Sequence, residues 1–529
     1  MAINLTPTRL TGLSSGMDTD SIIKSLMQIE QLKVNRSLRS RTTLQWRQDA
    51  LKTVKSDITD FKDTYLRLLG SKSMMGSNTY KAFDVNVTGG KSGAVTVSAN
   101  YEASAGTLNI YEVKQLAKAA SASSSAAVSK NGELASGNFA MLKDLEFANE
   151  LQFETVDGSN VISFSINGKE FTFKDTDTLQ SMMNTINGDP ELGVTMSYSR
   201  LSDKISFATK EMGEETSLNI VNLKGNAFGA AGAFGISAGN YENGQDAIVL
   251  FEDKFNPGYA NAIEVKRASN NFKIDGVIYT LNKTTSYADD GEMRIDITAN
   301  YQSVIDKVKE FVEGYNTMIA KLESMISDRK TIDEKSYIPL TDEEKASMTE
   351  KQIEDWEKIA KKGILYNDAG IRAVTESLRS ALYQTVESAG LTPADIGLRT
   401  GNYFEGKKGQ ISLDEDALRA ALEKDADKVM NVFIATSSSE DKTTAYKQSG
   451  LMNRINTIFD NYTKESQVST FESIDRSMRE LNTKISSMQE KMIDLEEKYY
   501  LKYAAMEKAL ADLQNQSTSL VNMLGMNNK

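Results

Sequence analysis

From Phe471 onward the apolar residues keep a single heptad phase: Ile474, Met478, Leu481, Ile485, Met488, Met492, Leu495 and Tyr499, then Met506, Ala509, Leu513, Leu520 and Met523. The steps alternate between three and four, and only Lys502 and Gln516 interrupt the register. A seam sustained over that length specifies a coiled coil, not a strand or a short globular helix. At 1.5 Å per residue it makes a rod of roughly 80 Å. Burying such a rod would demand a very large body around it, which favours an extended leg over a core helix.

The N-terminal part offers it a partner. Leu44, Leu51, Val54, Ile58, Phe61, Tyr65 and Leu68 form a second amphipathic stretch, preceded by Ile22, Leu26 and Ile29 in a shifted phase. Between the two phases the register positions are Lys33, Ser37 and Ser40, and this break is expected to be a joint, hence a hinge candidate. Asp18 or Thr19 is the expected N-cap, because its side-chain oxygen can accept from free amides of the first turn. Residues 33–55 are cationic all around the helix: Lys33, Arg36, Arg39, Arg41, Arg47, Lys52 and Lys55 stand against Asp49. Aromatic interleaving is missing apart from Trp46, so a solvated or inter-subunit helix meeting an acidic surface is expected, not nucleic-acid binding.

Between residues 80 and 300 the period changes to two. Phe83, Val85 and Val87 alternate with polar residues, as do Val95 and Val97. Ile162, Phe164 and Ile166 lead into Asn167-Gly168 and return as Phe171 and Phe173; Phe272, Ile274, Asp275-Gly276, Val277, Tyr279 and Leu281 repeat the pattern. Both dipeptides tolerate the positive φ angles of a type I′ turn, which predicts two hairpins. Residues 119–129 and 222–244 are rich in Ala, Ser and Gly and are expected to be links or exposed loops. Helical spacing returns at Val304, Val308, Phe311, Tyr315, Met318, Leu322 and Met325 and continues in shorter helices to about residue 462. Thr341 with Glu344, Thr349 with Gln352, and Ser412 with Glu415 have the spacing of capping boxes. The mixed charges of residues 328–362 suit a solvated helical surface, anchored by Trp356.

This order predicts an α+β multidomain chain in which terminal helices form a coiled-coil leg and a helical domain, with antiparallel β-rich lobes inserted. The expected division is a leg of residues 1–40 and 475–529, a helical domain of 41–79 and 301–474, a β-rich lobe of 80–125 and 240–300, and an outer lobe of 126–239. A length of 529 residues agrees, since it suggests roughly three or four domains.

Composition excludes much chemistry. The chain has no His and no Cys, which removes disulfides, thiol nucleophiles, Cys-bearing metal sites and any Ser-His-Asp triad within it. With 73 acidic and 61 basic residues its net charge is −12, which argues against nucleic acid as a partner. No run approaches the roughly 18 to 20 apolar residues of a membrane span, and the first residues lack the basic head and apolar stretch of a secretory signal. Gly12-Leu13-Ser14-Ser15-Gly16 fits a nucleophile elbow, but no His exists to serve it and too little chain precedes it; a turn feeding the first helix is expected. Ser21 and Lys24 have the S-x-x-K spacing without its partner motifs. Gly89-Gly90-Lys91-Ser92 lacks the earlier Gly of a phosphate loop and is expected to be a turn between strands. Asp175-Thr176-Asp177-Thr178-Leu179 starts like a calcium loop but lacks the rest of it, and is expected to cap the helix before Leu179. No spacing singles out a pair of carboxylates for glycoside chemistry. No cofactor or metal is expected.

The run Leu10-Thr-Gly-Leu-Ser-Ser-Gly-Met-Asp-Thr-Asp-Ser-Ile-Ile-Lys-Ser-Leu-Met-Gln-Ile-Glu30 resembles the opening of the bacterial flagellar filament cap family, hook-associated protein 2 or FliD. Ala105-Gly-Thr-Leu-Asn-Ile-Tyr-Glu-Val-Lys-Gln-Leu-Ala117 is similar to a second segment of that family, and residues 162–187 resemble the flagellin IN motif. Gly409-Gln-Ile-Ser-Leu-Asp-Glu-Asp-Ala-Leu418 and the terminal coiled coil also match in kind, so the resemblance covers nearly the whole chain. It implies a non-enzymatic, extracellular protein at the filament tip, exported unfolded by the flagellar secretion system without a cleaved signal peptide. It further implies a pentamer-like ring of copies that retains exported flagellin and promotes its folding and insertion. The implied partners are other copies of the chain, flagellin and the filament tip, hook-associated junction proteins and an export chaperone, with no nucleic acid and no membrane insertion. The expected coiled-coil and assembly interface is Ile22, Leu26, Ile29, Leu51 and Ile58 with Ile474, Met478, Leu481, Ile485, Met488, Met492 and Leu495, and Lys33, Ser37 and Ser40 are the expected hinge. The alternatives are another flagellar component, a flagellin or a junction protein, or a surface adhesin or enzyme carried by the middle lobes.

Overall fold

A computed structural model describes residues 16–132, 134, 140–400 and 408–526. The architecture is α+β and divides into two compact units, one of the chain up to Tyr80 together with Gln302 onward, the other Lys81–Tyr301.

The first unit is helical. Its longest elements are the N-terminal helix Thr19–Phe61 and the C-terminal helix Gln467–Met526, of 43 and 60 residues. Around their meeting point stand Tyr301–Ser327, Ala369–Tyr383, Glu415–Ile434 and Leu451–Asp460. The apolar spacing read from residue 304 onward is one buried face of the first of these, with Val304, Val308, Phe311, Tyr315 and Leu322 all inside. Four rings lock the centre: Phe61 lies 5.0 Å from Tyr65, 6.1 Å from Phe311 and 5.7 Å from Phe459, centroid to centroid. Tyr65 packs flat on that helix at Gly314, where any Cβ would collide with the phenol ring.

Two of the three capping boxes form. Thr341 accepts from the Glu344 amide while Glu344 accepts from the Thr341 amide, and Thr349 and Gln352 do the same. The third does not: Ser412 lies in the strand Ile411–Leu413, and Asp414 caps the helix by accepting from the Ala417 amide at 3.1 Å. A carboxylate one residue from the helix start outcompetes a hydroxyl held in a ladder. Trp356 anchors the charged stretch as expected, its indole donating to the Ile338 carbonyl at 2.9 Å and its ring 4.5 Å from Tyr337.

The most expensive side chain to bury here is Arg454, which is fully enclosed. Its guanidinium donates to the carbonyls of Tyr446 at 3.0 Å, Gln384 at 3.0 Å, Thr385 at 2.8 Å and Lys447 at 2.7 Å, with Ala381 at 3.5 Å. These oxygens gather at the C-terminal ends of Ala369–Tyr383 and Lys442–Gln448, where helices run out of amide donors and their dipoles are negative. One planar cation thus closes two helix ends, a task that suits the five-donor fork of Arg and not the point charge of Lys.

The second unit is antiparallel β around two cores. In one, strands lie in the order Phe83–Gly89, Met293–Ala299, Gly106–Gln115, Ala247–Phe251 and Ile263–Arg267, beside a three-stranded sheet of Asn271–Ile274, Val277–Leu281 and Val95–Ala99. In the other, Ile162, Phe164, Phe207, Phe228 and Phe234 pack with Met182 and Ile186 of the helix Leu179–Asn187. Both predicted hairpins form, with φ of 48° and 85° at Asn167 and Gly168 and of 50° and 78° at Asp275 and Gly276. Thr178, within the stretch expected to cap, accepts from the Ser181 amide at 3.0 Å.

The Ala/Ser/Gly-rich segments are not links. Ala119–Ser123 is a strand paired with Lys204–Met212, and Ala120, Ala122 and Ser124 are buried. Residues 222–244 carry Ala227, Phe228, Ala233, Phe234 and Ile236 into the second core. Small side chains let backbones approach, and the buried Ser124 hydroxyl joins the Ile205 and Phe234 carbonyls at 3.0 and 2.8 Å.

Replacing Arg454 by Met is expected to lower the stability of the helical unit by about 3 to 5 kcal/mol, because several buried carbonyls lose their donor together. Lys at the same position is expected to recover only a small part. Urea unfolding followed by far-ultraviolet circular dichroism measures both.

Candidate assembly interface

The N-terminal helix begins where Asp18 accepts from the Ser21 amide at 3.0 Å. It runs antiparallel to the C-terminal helix, as four polar contacts record. Tyr500 donates to Asp20 at 3.0 Å, Ser37 meets the Met488 sulfur at 3.9 Å, Gln48 donates to Asp475 at 2.7 Å, and the Gln467 carboxamide donates to the Leu51 carbonyl at 2.9 Å.

The C-terminal half of the interface follows its heptads. Ile474 and Ile485 are buried, and Met478, Leu481, Met488, Met492 and Leu495 are half-buried. On the N-terminal helix the inward residues are Ile23, Val34, Ser37, Leu51, Val54 and Ile58. Ile22 and Leu26 are only half-buried, and Ile29 is 59% exposed, so these three form a second, outer stripe. Steps of seven back from Ile58 pass through Leu51, Leu44, Ser37, Glu30 and Ile23, one unbroken phase. Polar residues on that phase hid it, and the stronger apolar signal of the outer stripe suggested a break. The helix runs continuously through residues 33–40; Ser37 faces its partner, while Lys33 and Ser40 point to solvent. The division expected at residues 40 and 475 therefore falls inside two continuous helices.

The irregular backbone lies elsewhere. The N-terminal helix passes into a π-helical turn, Lys62–Leu66, and Leu451–Asp460 passes through another, Asn461–Ser466, into the C-terminal helix. Lys62 reaches Asp460 at 2.5 Å and Phe61 meets Phe459, so the two turns stand at one level. Such π turns have no apolar period of their own, and sequence periodicity passes over them.

The cationic face of the N-terminal helix finds its acidic surface in the same unit. Arg39 pairs with Glu344 at 2.7 Å and Arg47 with Asp368 at 2.8 Å, while Asp368 also caps Ala369–Tyr383. Partial burial works against the charged form of Glu344, yet the Thr341 amide and Arg39 hold its pKa below the usual value. Asp460 is likewise lowered, burial opposing and Lys62 and then Lys464 prevailing.

Past Tyr500 Met506 is still half-buried, and from Leu513 the seam lies in water: Leu513 and Leu520 are 60% exposed and Met523 is 72% exposed. Residues 513–526 carry no charge. The arrangement offers apolar faces and ion pairs for assembly. Ser21 and Lys24 both lie on the exposed side of their helix, and residues 12–15 of the elbow-like motif lie outside the described residues. Among the described residues, no cluster of three or more His, Cys, Asp or Glu is placed to hold a metal ion, and no helix is long and apolar enough to cross a membrane.

Comparison with known proteins adds a further line. Residues 244–515 match the family model of the flagellar hook-associated protein 2 C-terminus, and residues 15–120 that of its N-terminus. The chain is 28% identical to a flagellar hook-associated protein 2 of Halalkalibacterium halodurans over 97% of this chain and 99% of the relative. It is 25% identical to one of Thermotoga maritima over 72% of this chain and 58% of the relative. The crystal structure of the D1-D2-D3 domains of the Escherichia coli flagellar cap protein FliD shares the fold, with a TM-score of 0.52 at 18% identity over 80% of this chain and 99% of that one.

Two outcomes check the interface. Leu51→Ala and Ile23→Ala are expected to cost about 2 to 5 kcal/mol each, and Ile29→Ala less than about 0.5 kcal/mol, in chemical denaturation. Because the Glu344 and Asp460 carboxyls are held below their unfolded values, the stability they lend is complete only well above those unfolded values, by about pH 6, and is lost as pH falls through the folded values. An Asp460→Asn variant is accordingly expected to show a flatter decline of melting temperature on acidification than the parent chain.

Proposed function

Because the chain belongs to the flagellar hook-associated protein 2 family of filament cap proteins, we propose that it works without catalysis at the distal tip of the filament. Copies form a small ring, pentamer-like by family resemblance, that holds exported flagellin at the tip while it folds and inserts. The observation that carries this reading is the antiparallel helix pair joined at Tyr500 and Asp20, whose C-terminal helix has exposed apolar positions from Leu513 onward. An uncharged helix with Leu513, Leu520 and Met523 in water is suited to docking among other helices, as a leg standing on a helical filament end would.

The remaining partners follow from the same reading: the hook-associated junction proteins on which the filament begins, and an export chaperone that covers apolar surface before secretion. Export proceeds unfolded through the flagellar channel, and a chain without Cys carries no disulfide that would have to open on the way. The leg of residues 1–40 and 475–529 bends around Lys33, Ser37 and Ser40. Of these Ser37 is the one that faces the seam, and its hydroxyl fills a position where Leu would knit the two helices.

Deleting the gene is expected to leave cells that secrete flagellin monomer into the medium and build no filaments; normal filaments in such a strain would overturn the reading. Ser37→Leu is expected to raise the melting temperature of the purified chain and reduce the yield of capped filaments when supplied to the deletion strain. Full capping by this variant would remove the hinge.

A further inference from the structure

Two exposed apolar points stand on the β unit, each on a turn that hydrogen bonds hold rigid. The first is Phe255, 100% exposed. Its amide donates to Asp253 at 2.9 Å, and three residues on, the Gly258 amide donates to the Tyr111 hydroxyl at 2.9 Å. Beside it lies an aromatic group: Tyr259 and Tyr287 stack at 4.4 Å with planes 9° apart, and Tyr111 meets both edge-on. The surroundings are acidic on balance, with Glu112, Glu252 and Asp253 against the exposed Lys254. Tyr259 donates to Glu112 at 2.5 Å and Tyr111 to Glu252 at 3.1 Å.

The second is Leu201, also 100% exposed, at the turn between Val194–Ser199 and Lys204–Met212, with Arg200 next to it. Asp203 fixes this turn. It sits at φ 50°, is buried, and accepts from the Ser129 amide and hydroxyl at 3.0 and 2.6 Å and from Tyr198 at 2.7 Å.

Both side chains are wholly exposed, so neither meets the other within one chain. One turn joins an aliphatic knob to a cation; the other joins a phenyl knob to stacked rings and carboxylates. Two complementary patches at different places on one chain make a heterologous contact between copies, and a contact of that kind runs head to tail and closes into a ring when its rotation permits. We propose that Leu201 of one copy packs on Phe255 of the next, with Arg200 lying over the Tyr259 and Tyr287 rings toward Glu112 and Glu252. A second copy is favoured over a foreign partner because the chain itself presents both halves with opposite charge. The inference rests on the reading of the protein as a ring of copies and locates one of its contacts.

The absence of Cys makes the test clean. Full-length chains carrying Leu201→Cys and Phe255→Cys are prepared separately, mixed in equal amounts and oxidised. The expected product is a disulfide dimer holding one of each, in clear excess over the like pairs, and the double variant should give a ladder ending at one discrete size. Mixed dimers at no more than their statistical share would overturn the contact. Leu201→Asp, on an exposed turn that leaves the circular dichroism unchanged, is expected to lower the oligomer fraction in native mass spectrometry at least tenfold. Oligomers undiminished by Leu201→Asp overturn this contact and leave the ring standing. A parent chain that stays monomeric at every concentration overturns both. Preferential trapping of Leu201→Cys by a Cys-bearing flagellin variant would also overturn it, assigning the turn to that partner.

Discussion

Everything else in the helical unit depends on the antiparallel seam between the first and last helices. Gln467 donates to the Leu51 carbonyl, and Tyr500 to Asp20, across nearly the whole length of the chain. Such a closure is less costly than its span suggests, since loop entropy grows only with the logarithm of length, about 0.6 kcal/mol per doubling. The β unit can therefore sit as one long excursion between Tyr80 and Gln302 without weakening the pairing that joins the ends. Its strands pair among themselves, and its two cores draw only on its own residues.

The seam was legible where apolar residues fill it and illegible where they do not. In the C-terminal run from Ile474 to Leu495, Met, Leu and Ile occupy successive buried or half-buried positions, so the period is plain. On the opposing helix Glu30 and Ser37 stand on the inward phase, so Ile22, Leu26 and Ile29 dominate any periodicity although they form the outer stripe. A different physical cause hid the core role of residues 119–129 and 222–244. Composition records how much apolar surface a side chain brings, whereas Ala122 and Ser124 contribute by letting strands and turns approach. The hairpins at Asn167-Gly168 and Asp275-Gly276 were legible because positive φ is a demand on single residues, independent of what packs around them. The exposed turns at Leu201 and Phe255 left no signal in any period, since a lone apolar residue among polar ones reads as ordinary surface.

Charge has a separate task from burial in this molecule. An ion pair open to solvent contributes little, so Arg39 with Glu344 does not hold the N-terminal helix in place by strength, whereas Arg47 reaches the buried carboxylate of Asp368. They fix its rotation and register against two helix starts, because Glu344 and Asp368 are at once counter-ions and capping groups. Arg454 does the same at two helix ends, with carbonyls in place of carboxylates. The cationic stretch that sequence alone assigned to an outside acidic surface is thus partly consumed inside the unit.

Packing along the helix pair is graded, and that gradient bears on the proposed leg. At its root stand Phe61, Tyr65, Phe311 and Phe459, a ring cluster flanked by π turns and the Lys62 to Asp460 pair. Further along, single residues such as Val34 and Ile485 carry the seam with Ser37 between the helices, and from Leu513 the apolar positions meet water. Local stability follows buried apolar contact, so opening must become easier with distance from the root. A leg built this way keeps its base fixed to the helical unit while its far end adapts, which is what the proposed docking of each copy at a filament end would require.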